Sequence, residues 1–236
     1  METTVAAPPL RGTHDGWHRL PLASLDFETT GVDPHTDRIL SYALIDGPVA
    51  VSGLVDAGVP IPPASAEVHG LTAAMLTGEP TPRRVLAGIL EWVESLIDRG
   101  VGLVVFNAAY DLTMLRAEAR RNGLREPDWT RLLVVDPYVV DWGIERGSLG
   151  RRRLVDVAAY YGVRIESAHD AMCDARAARD VAVELGARHP DVGSLGLGEL
   201  MVHQRRWFAD RVAEWNSYAR TSGRPVDDPT GWPLAA

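Results

Sequence analysis

Residues 22–29, LASLDFET, predict a central β-strand, and the rest of the fold can be argued outward from them. The segment alternates like a β-strand, and its leucines and Phe27 supply the apolar bulk. Side chains two residues apart point to the same face of a strand, so Asp26 and Glu28 converge while Phe27 turns towards the core. Two carboxylates so close together are unfavourable unless a cation lies between them. The alternative is a solvated strand edge that happens to carry two acids. This pair alone does not distinguish a cation site from such an edge.

The segments that follow predict an antiparallel meander. Residues 39–46, ILSYALID, and residues 49–55 have the composition of strands, and Asp46-Gly47-Pro48 between them is a turn sequence. Three strands joined by such short connections pair most simply with their neighbours in sequence.

Beyond the meander, helices and strands alternate. Residues 82–99 carry apolar residues at spacings of three and four, with Pro82 in the first turn and Gly100 after the end, which predicts an amphipathic helix. The other predicted elements are a strand over 101–106, a helix from 107 to about 122, a strand over 132–135, and helices over 154–161 and 171–187. We therefore expect an α/β fold, in which helices flank a mixed sheet of an antiparallel meander plus parallel strands.

The chain is expected to hold one main domain with an extension at each end. Residues 1–19 lack apolar periodicity and predict a flexible N-terminal tail, and residues 20–188 form the domain. Residues 189–236 form a C-terminal extension, in which 197–219 predicts a long amphipathic helix and 221–236 a second tail.

Composition restricts the kinds of partner. The 236 residues carry a formal net charge of −8, and all 24 basic residues are arginine. Proteins that bind nucleic-acid duplexes usually show a basic surface, so the negative charge argues against such a protein. The argument does not hold if metal ions neutralise a cluster of carboxylates. The single cysteine, Cys173, excludes an intrachain disulfide. Without an apolar span or signal-like N-terminus, we expect a cytoplasmic protein with no membrane partner.

Two further segments place acids at helix starts. In NAAYD, Asn107 is a candidate N-cap and Asp111 lies in the first turn, where the helix dipole stabilises a carboxylate. In HDAMCD, Asp170 is the candidate cap, Asp174 lies about one turn further on, and His169 precedes the helix. Each residue taken alone is explained by helix capping or solvent exposure.

Taken together and in order, LDFETTG, NAAYD and HDAMCD resemble the three exonuclease motifs of the DnaQ-like DEDDh superfamily. That superfamily includes the proofreading subunit of bacterial replicative DNA polymerase, ribonuclease T and oligoribonuclease. Ile61-Pro62-Pro63 and residues 68–72, VHGLT, also resemble its proofreading branch. The resemblance covers about residues 20–187 and implies a ribonuclease H-like fold.

The resemblance implies a 3′–5′ exonuclease that releases 5′-nucleotide monophosphates from the 3′ ends of single-stranded or frayed DNA. Oxygen ligands suit Mg²⁺ or Mn²⁺, and two such ions would serve an in-line displacement. His169 would be the general base, since histidine takes up protons near neutral pH. The implied catalytic and metal-binding acids are Asp26, Glu28, Asp111 and Asp174.

The resemblance also implies contacts to the terminal nucleotide. His69 and Tyr110 match residues that line the pocket for the terminal base, and a ring such as Tyr110 stacks bases with little sequence preference. Phe106 departs from the family, whose proofreading members often have histidine there. The full set of implied substrate-binding residues is Thr29, Thr30, Gly31, His69, Asn107 and Tyr110.

The arginine run Arg151–Arg153 precedes a predicted helix and suits either a phosphate backbone or a solvated surface. Its role is left open.

Several alternatives also stay open at this stage. The substrate is RNA if the chain follows the ribonuclease T or oligoribonuclease branch. The amphipathic C-terminal helix, with Trp207 and Trp215, would dock a polymerase subunit, pack on the nuclease core or form a homodimer. Gln204 is the sole glutamine, and no sliding-clamp peptide surrounds it.

Overall fold

The computed structural model describes residues 7–145 and 149–235. Its sheet has the strand order β3-β2-β1-β4-β5. β1 pairs antiparallel with β2, and β2 with β3, whereas β1 and β4, and β4 and β5, are parallel. The predicted mixed sheet is confirmed, with β1 at its centre. The strands are β1 (Leu22–Thr29), β2 (Ile39–Asp46), β3 (Val49–Leu54), β4 (Gly102–Val104) and β5 (Val134–Val135).

Helices lie on both faces of this sheet. Those that the sequence predicts are α3 (Pro82–Arg99), α4 (Ala108–Arg121), α6 (Leu154–Tyr161), α7 (Ala171–Arg188) and α9 (Leu197–Ser222). Short helices that it does not predict are α1 (Pro63–His69), α2 (Ala73–Leu76), α5 (Pro137–Ile144) and α8 (Pro190–Gly193). Helices of four to seven residues complete fewer than two turns and show no periodic apolar stripe, which is why α1, α2 and α8 escaped the pattern. α5 is as long as α6 and was missed although a proline opens its first turn.

The two faces of β1 enter different parts of the core. Leu25 and Phe27 are buried in a cluster with residues of α3 and α4. Leu22 joins a second cluster that includes Val181 of α7. Burying a leucine or valine stabilises the fold by about 1.5–3 kcal/mol, so both clusters hold β1 in place. The alternation therefore turns Asp26 and Glu28 to the face that α7 covers.

The N-terminal segment differs from the expected flexible tail. Gly12 N–H donates to Ala187 O (2.7 Å), at the end of α7. Trp17 is fully buried, and its indole Nε1 donates to Val192 O (2.9 Å). One large aromatic residue anchors a segment that shows no apolar periodicity of its own. Residues 1–6 of the expected tail lie outside the described residues.

The C-terminal extension packs against the domain. On α9, Phe208 and Val212 are buried in the same cluster as Leu25. Gln204 lies along the edge of β5, where its Oε1 accepts from Asp136 N–H (2.7 Å) and its Nε2 donates to Val134 O (2.8 Å). The predicted helix is thus present, and its buried face covers the sheet edge.

The segment after α9, expected as a second tail, also returns to the domain. Trp232 is buried, and its Nε1 donates to Asp136 (3.1 Å). Ala235 N–H donates to Thr113 Oγ1 of α4 (2.8 Å). Residue 236 lies outside the described part of the chain. In that described part, no helix combines the length and apolar character needed to cross a lipid bilayer.

Candidate active site

Three carboxylates meet where β1 faces the start of α7. Asp26, Glu28 and Asp174 each place an oxygen within 4.8 Å of the others. Strand alternation aligns the first two, and the N-terminal turn of α7 brings the third over them. Opposite Asp26 and Glu28 on β2 stand Ala43 and Ser41, whose small side chains leave the acids room.

Asp111 belongs to the same site from a different element. It is buried in the first turn of α4. Together with Asp26, Glu28, Asp174 and His169 it lines a cavity of about 700 Å³. The structure thus brings the four acids and the histidine to one cavity, although only Asp26, Glu28 and Asp174 form the close triplet.

Burial and mutual repulsion disfavour charge on these carboxyl groups. Burial raises the pKa of Asp26 well above its usual range, and Asp111, Asp174 and Glu28 raise it further. Burial, then Asp174 and Asp170, raise the pKa of Glu28 to about 7. The pKa values of Asp111 and Asp174 are also raised, chiefly by burial. A nearby cation would reverse these shifts.

The donor set fits a hard divalent cation. Asp174 Oδ2 accepts the His169 backbone N–H (3.0 Å), whereas its Oδ1 is buried with no hydrogen-bond partner in the described residues. The grouped ligand atoms are all carboxylate oxygens, which Mg²⁺, Mn²⁺ and Ca²⁺ prefer. An unpartnered carboxylate oxygen beside two other carboxylates is what such a cation would satisfy.

His169 stands in the loop before α7. Its backbone is left-handed (φ 64°), uncommon for a residue other than glycine. The side chain is exposed and lines the acid cavity, and it also lines a smaller cavity with Glu28 and His69. The hydrogen bond from its N–H to Asp174 ties this loop to the acid triplet.

A second cavity of about 600 Å³ adjoins the acids and holds most of the predicted substrate residues. Thr29, Gly31, His69, Asn107 and Tyr110 line it, together with residues of α1 such as Val68. Thr30 does not line it. The Thr30 side chain is buried, and its Oγ1 donates to Asp37 (2.7 Å). Thr30 therefore holds the loop rather than facing this cavity.

The wall of this second cavity is fixed by one hydroxyl network. The Tyr110 hydroxyl donates to Gly31 O and lies 2.6 Å from Thr29 Oγ1, which itself donates to Gly31 O (2.8 Å). A Cβ at Gly31 would lie 2.5 Å from Asp37 Oδ2, so a larger residue there would displace the Asp37 carboxylate that holds Thr30. Tyr110 thus both anchors the loop and presents its ring to the cavity.

His69 has a defined proton position. Leu71 N–H donates to its Nδ1 (3.0 Å), so in the neutral ring the proton lies on Nε2. Burial lowers the pKa of His69, which favours this neutral form.

Asp136 is the residue that the sequence analysis missed, and it corrects the role of Asn107. Asn107 adopts a left-handed conformation (φ 64°, ψ 50°) and its side chain caps nothing. The Asp136 carboxylate instead accepts the N–H groups of Asn107 and Ala108, both at 2.9 Å. It also accepts Tyr138 N–H at the start of α5. The Asp136-Pro137 pair, a common N-cap and first-turn combination, was the available signal.

The arginine run is divided between two structural roles. Arg152 is largely buried and pairs with the buried Asp141 (2.7 Å), which a solvated charge run does not explain. Arg153 is exposed and pairs with Asp156 (2.8 Å). Both line the acid cavity, as does Arg211 of α9.

Comparison with known proteins relates the chain to nucleases. Residues 24–182 match a family model, RNase_T, described as an exonuclease. An uncharacterized exonuclease, CP81, of Escherichia phage 186 is 31% identical over 64% of this chain and 81% of its own length. The DNA polymerase III subunit epsilon of Treponema pallidum is 28% identical over 70% of this chain and 76% of its own length.

A solved structure shares the fold. E. coli exonuclease I in complex with a dA16 oligonucleotide superimposes with a TM-score of 0.61 at 18% identity, covering 79% of this chain. The present chain spans 44% of that longer protein.

Proposed function

The chain belongs to the RNase_T exonuclease family, and from that premise we propose that it removes 5′-nucleotide monophosphates from the 3′ ends of single-stranded or frayed DNA. The observation that carries the proposal is the acid triplet, with its unpartnered Asp174 Oδ1, at the junction of two cavities. One cavity accommodates a terminal nucleotide, and the other receives the strand that leads to it.

In this proposal two divalent cations, Mg²⁺ or Mn²⁺, are held by Asp26, Glu28, Asp111 and Asp174. When bound, the cations stabilise the charge that develops on the attacking and leaving oxygens. His169 accepts the proton of the attacking water as general base. The hydrogen bond from its backbone to Asp174 supports this role, because it holds the histidine loop beside the acids.

The proposed 3′ polarity rests on the family, for which this direction is typical. The second cavity, lined by α1 and the Gly31 loop, is the proposed site of the terminal nucleotide. We propose that the Tyr110 ring stacks on the terminal base and that the Thr29–Gly31 backbone, His69 and Asn107 contact the sugar and base.

DNA is the proposed substrate because two similar proteins are associated with DNA. One is a DNA polymerase III subunit, and the other was solved with a DNA oligonucleotide. RNA stays the alternative. Docking to a polymerase and homodimer formation stay predictions too, and the apolar face of α9 that suggested them is covered by the chain's own core.

The test is hydrolysis of a 5′-labelled single-stranded DNA oligonucleotide in Mg²⁺. We expect a ladder that shortens from the 3′ end, release of 5′-nucleotide monophosphates, and no reaction in EDTA. Asp174→Asn should lose roughly 100-fold or more in rate, since a lost metal ligand removes several kcal/mol of transition-state stabilisation. Asp180→Asn, at an exposed acid on the same helix, is the matched control and should keep wild-type activity.

Three results would change the proposal. Equal rates for wild type and Asp174→Asn would exclude the proposed metal site. Shortening from the 5′ end would reverse the polarity. Equal or faster decay of a matched RNA oligonucleotide would replace DNA by RNA as substrate.

A further inference from the structure

Arg211 of α9 lines the acid cavity although it lies outside residues 24–182, the part that matches the family model. It therefore comes from the extension that packs on the nuclease domain. The cavity also contains Phe106, Tyr138, Arg152 and Arg153 on this side. Neither Arg211 nor Tyr138 lines the second cavity, which lies across Glu28 and Asn107.

The guanidinium of Arg211 is held by aromatic rings. Its Cζ lies 5.3 Å from the centroid of the Tyr138 ring and 5.1 Å from that of Phe208. Such contacts hold an arginine through its planar face and leave its N–H edge for other partners. The Nε of Arg211 is buried and has no hydrogen-bond partner among the described residues. A buried donor of this kind is costly unless it finds an acceptor.

The neighbouring arginines are engaged in a different way. Arg152 is paired with Asp141, and Arg153 with Asp156. Their guanidinium groups are thus already bound to carboxylates of the protein, while Arg211 Nε has no acceptor within residues 7–145 and 149–235. Bound divalent cations would neutralise the carboxylates that line this cavity. A strand that continues past them needs a cationic group of its own for its next phosphates.

We propose that Arg211 binds a phosphate of the substrate strand on the 5′ side of the scissile linkage. The inference rests on the proposed exonuclease function. If the terminal nucleotide occupies the second cavity, the strand crosses the acids and leaves on the side where Arg211 and Tyr138 stand. A guanidinium held flat against rings presents a fixed fork to a phosphate, which a mobile surface arginine does not. Arg211 is thus a substrate-positioning residue contributed by the C-terminal extension.

The test measures binding separately from cleavage. A 5′-labelled single-stranded DNA oligonucleotide is titrated with full-length protein in Ca²⁺, and Kd is followed by fluorescence anisotropy at several salt concentrations. Arg211→Met keeps the aliphatic packing but removes the charge. We expect its Kd to rise roughly 5-fold and the slope of log Kd against log salt to fall by about 0.7, as for one lost phosphate contact on a single strand.

The matched control is Arg220→Met, an exposed arginine on the same helix. It should bind like wild type. Arg211→Lys should keep the salt slope but bind more weakly than wild type, because lysine preserves the charge without the planar fork. If Arg211→Met proves unstable to heat, Arg211→Lys still tests the inference through its weaker binding at an unchanged salt slope.

A set of oligonucleotides, each with one neutral methylphosphonate linkage near the 3′ end, identifies the phosphate. At one position upstream of the scissile linkage, the methylphosphonate should weaken binding to wild type. The same substitution should cause no further weakening in Arg211→Met. Equal Kd and slope for wild type and Arg211→Met would overturn the inference. The inference would also be overturned if the loss of affinity in Arg211→Met added equally to the effect of the methylphosphonate at every position. Wild type that neither binds nor shortens the oligonucleotide would instead refute the proposed function.

Discussion

At the scale of single residues, Asp136 connects several parts of the molecule. Its carboxylate caps the turn before Asp111 and the start of α5, and it accepts the Trp232 indole. Burial raises the pKa of Asp136 to about 6, although its hydrogen bonds, the first from Asn107, lower it. The effect of desolvation on the pKa therefore exceeds that of the hydrogen bonds, and Asp136 makes the stability of the fold depend on pH.

The sign of that dependence can be tested with Asp136→Asn. Since the folded-state pKa of about 6 exceeds the usual 3.8, the folded chain binds the proton more tightly, and this group's contribution to stability falls as pH rises from about 4 to about 6. The variant does not titrate, and it loses acceptors for buried N–H groups. It should be less stable throughout, by a margin that narrows by about 1 kcal/mol between pH 5 and pH 7.

Urea unfolding of both proteins in EDTA at pH 5, 6 and 7 measures this margin. Because Asp136 raises the pKa of Asp111, both proteins carry Asp111→Asn in this comparison. The contributions of the other buried acids then cancel in the difference. A stability difference that is constant, or that widens towards pH 7, would contradict the raised pKa of Asp136 in the folded chain.

At the scale of elements, the C-terminal helix packs on the domain through close contact with α5. A Cβ at Gly143 would lie 2.2 Å from the Trp207 ring atom Cδ2. The short contact involves the ring itself and not the end of a flexible chain. Glycine at this position lets α5 and α9 approach each other, which helps to bring Arg211 over Tyr138.

Gly143→Ala should therefore lower the free energy of unfolding by about 1–3 kcal/mol, as expected for overpacking. The matched control is Gly88→Ala in the middle of α3, where a new Cβ meets nothing within 4 Å. That change should stabilise the protein by roughly 0.5–1 kcal/mol, because alanine favours helix. Chemical denaturation of the two variants compares them directly. Equal stability of Gly143→Ala and Gly88→Ala would show that the helix contact is not tight.

At the scale of the whole molecule, charge and stability oppose each other. The chain carries a formal net charge of −8, and four acids crowd one cavity. Without cations, their burial and repulsion weaken the fold, so the site exists at the expense of stability. The N-terminal segment, α9 and the segment around Trp232 add buried contacts around the domain.

Removal of divalent ions should consequently lower the melting temperature. At a Mg²⁺ concentration 100 times the dissociation constant, binding adds about 2.7 kcal/mol. Asp111→Asn should melt higher than wild type in EDTA, since a buried charge is removed, and should respond less to Mg²⁺. Differential scanning calorimetry at matched ionic strength tests both points, with Asp180→Asn as control. An equal Mg²⁺ response in wild type and Asp111→Asn would exclude Asp111 from the metal site.

Features with a local signal could be predicted from the amino-acid sequence alone. Alternation predicted β1 and β2 with their observed bounds, and helical spacing with a following glycine did the same for α3. The ordered motifs predicted that Asp26, Glu28, Asp111, Asp174 and His169 share one site, and all five line one cavity.

The contacts between distant residues became visible only in the folded chain. Asp136 caps α4 in place of Asn107, Thr30 turns to Asp37, and Arg152 pairs with Asp141. Arg211 and Trp17 leave no periodic trace of their role, because a single anchoring residue makes no pattern. Periodicity reports which face of an element is buried, whereas hydrogen bonds and ion pairs between elements depend on how those faces dock, which no local run of residues encodes.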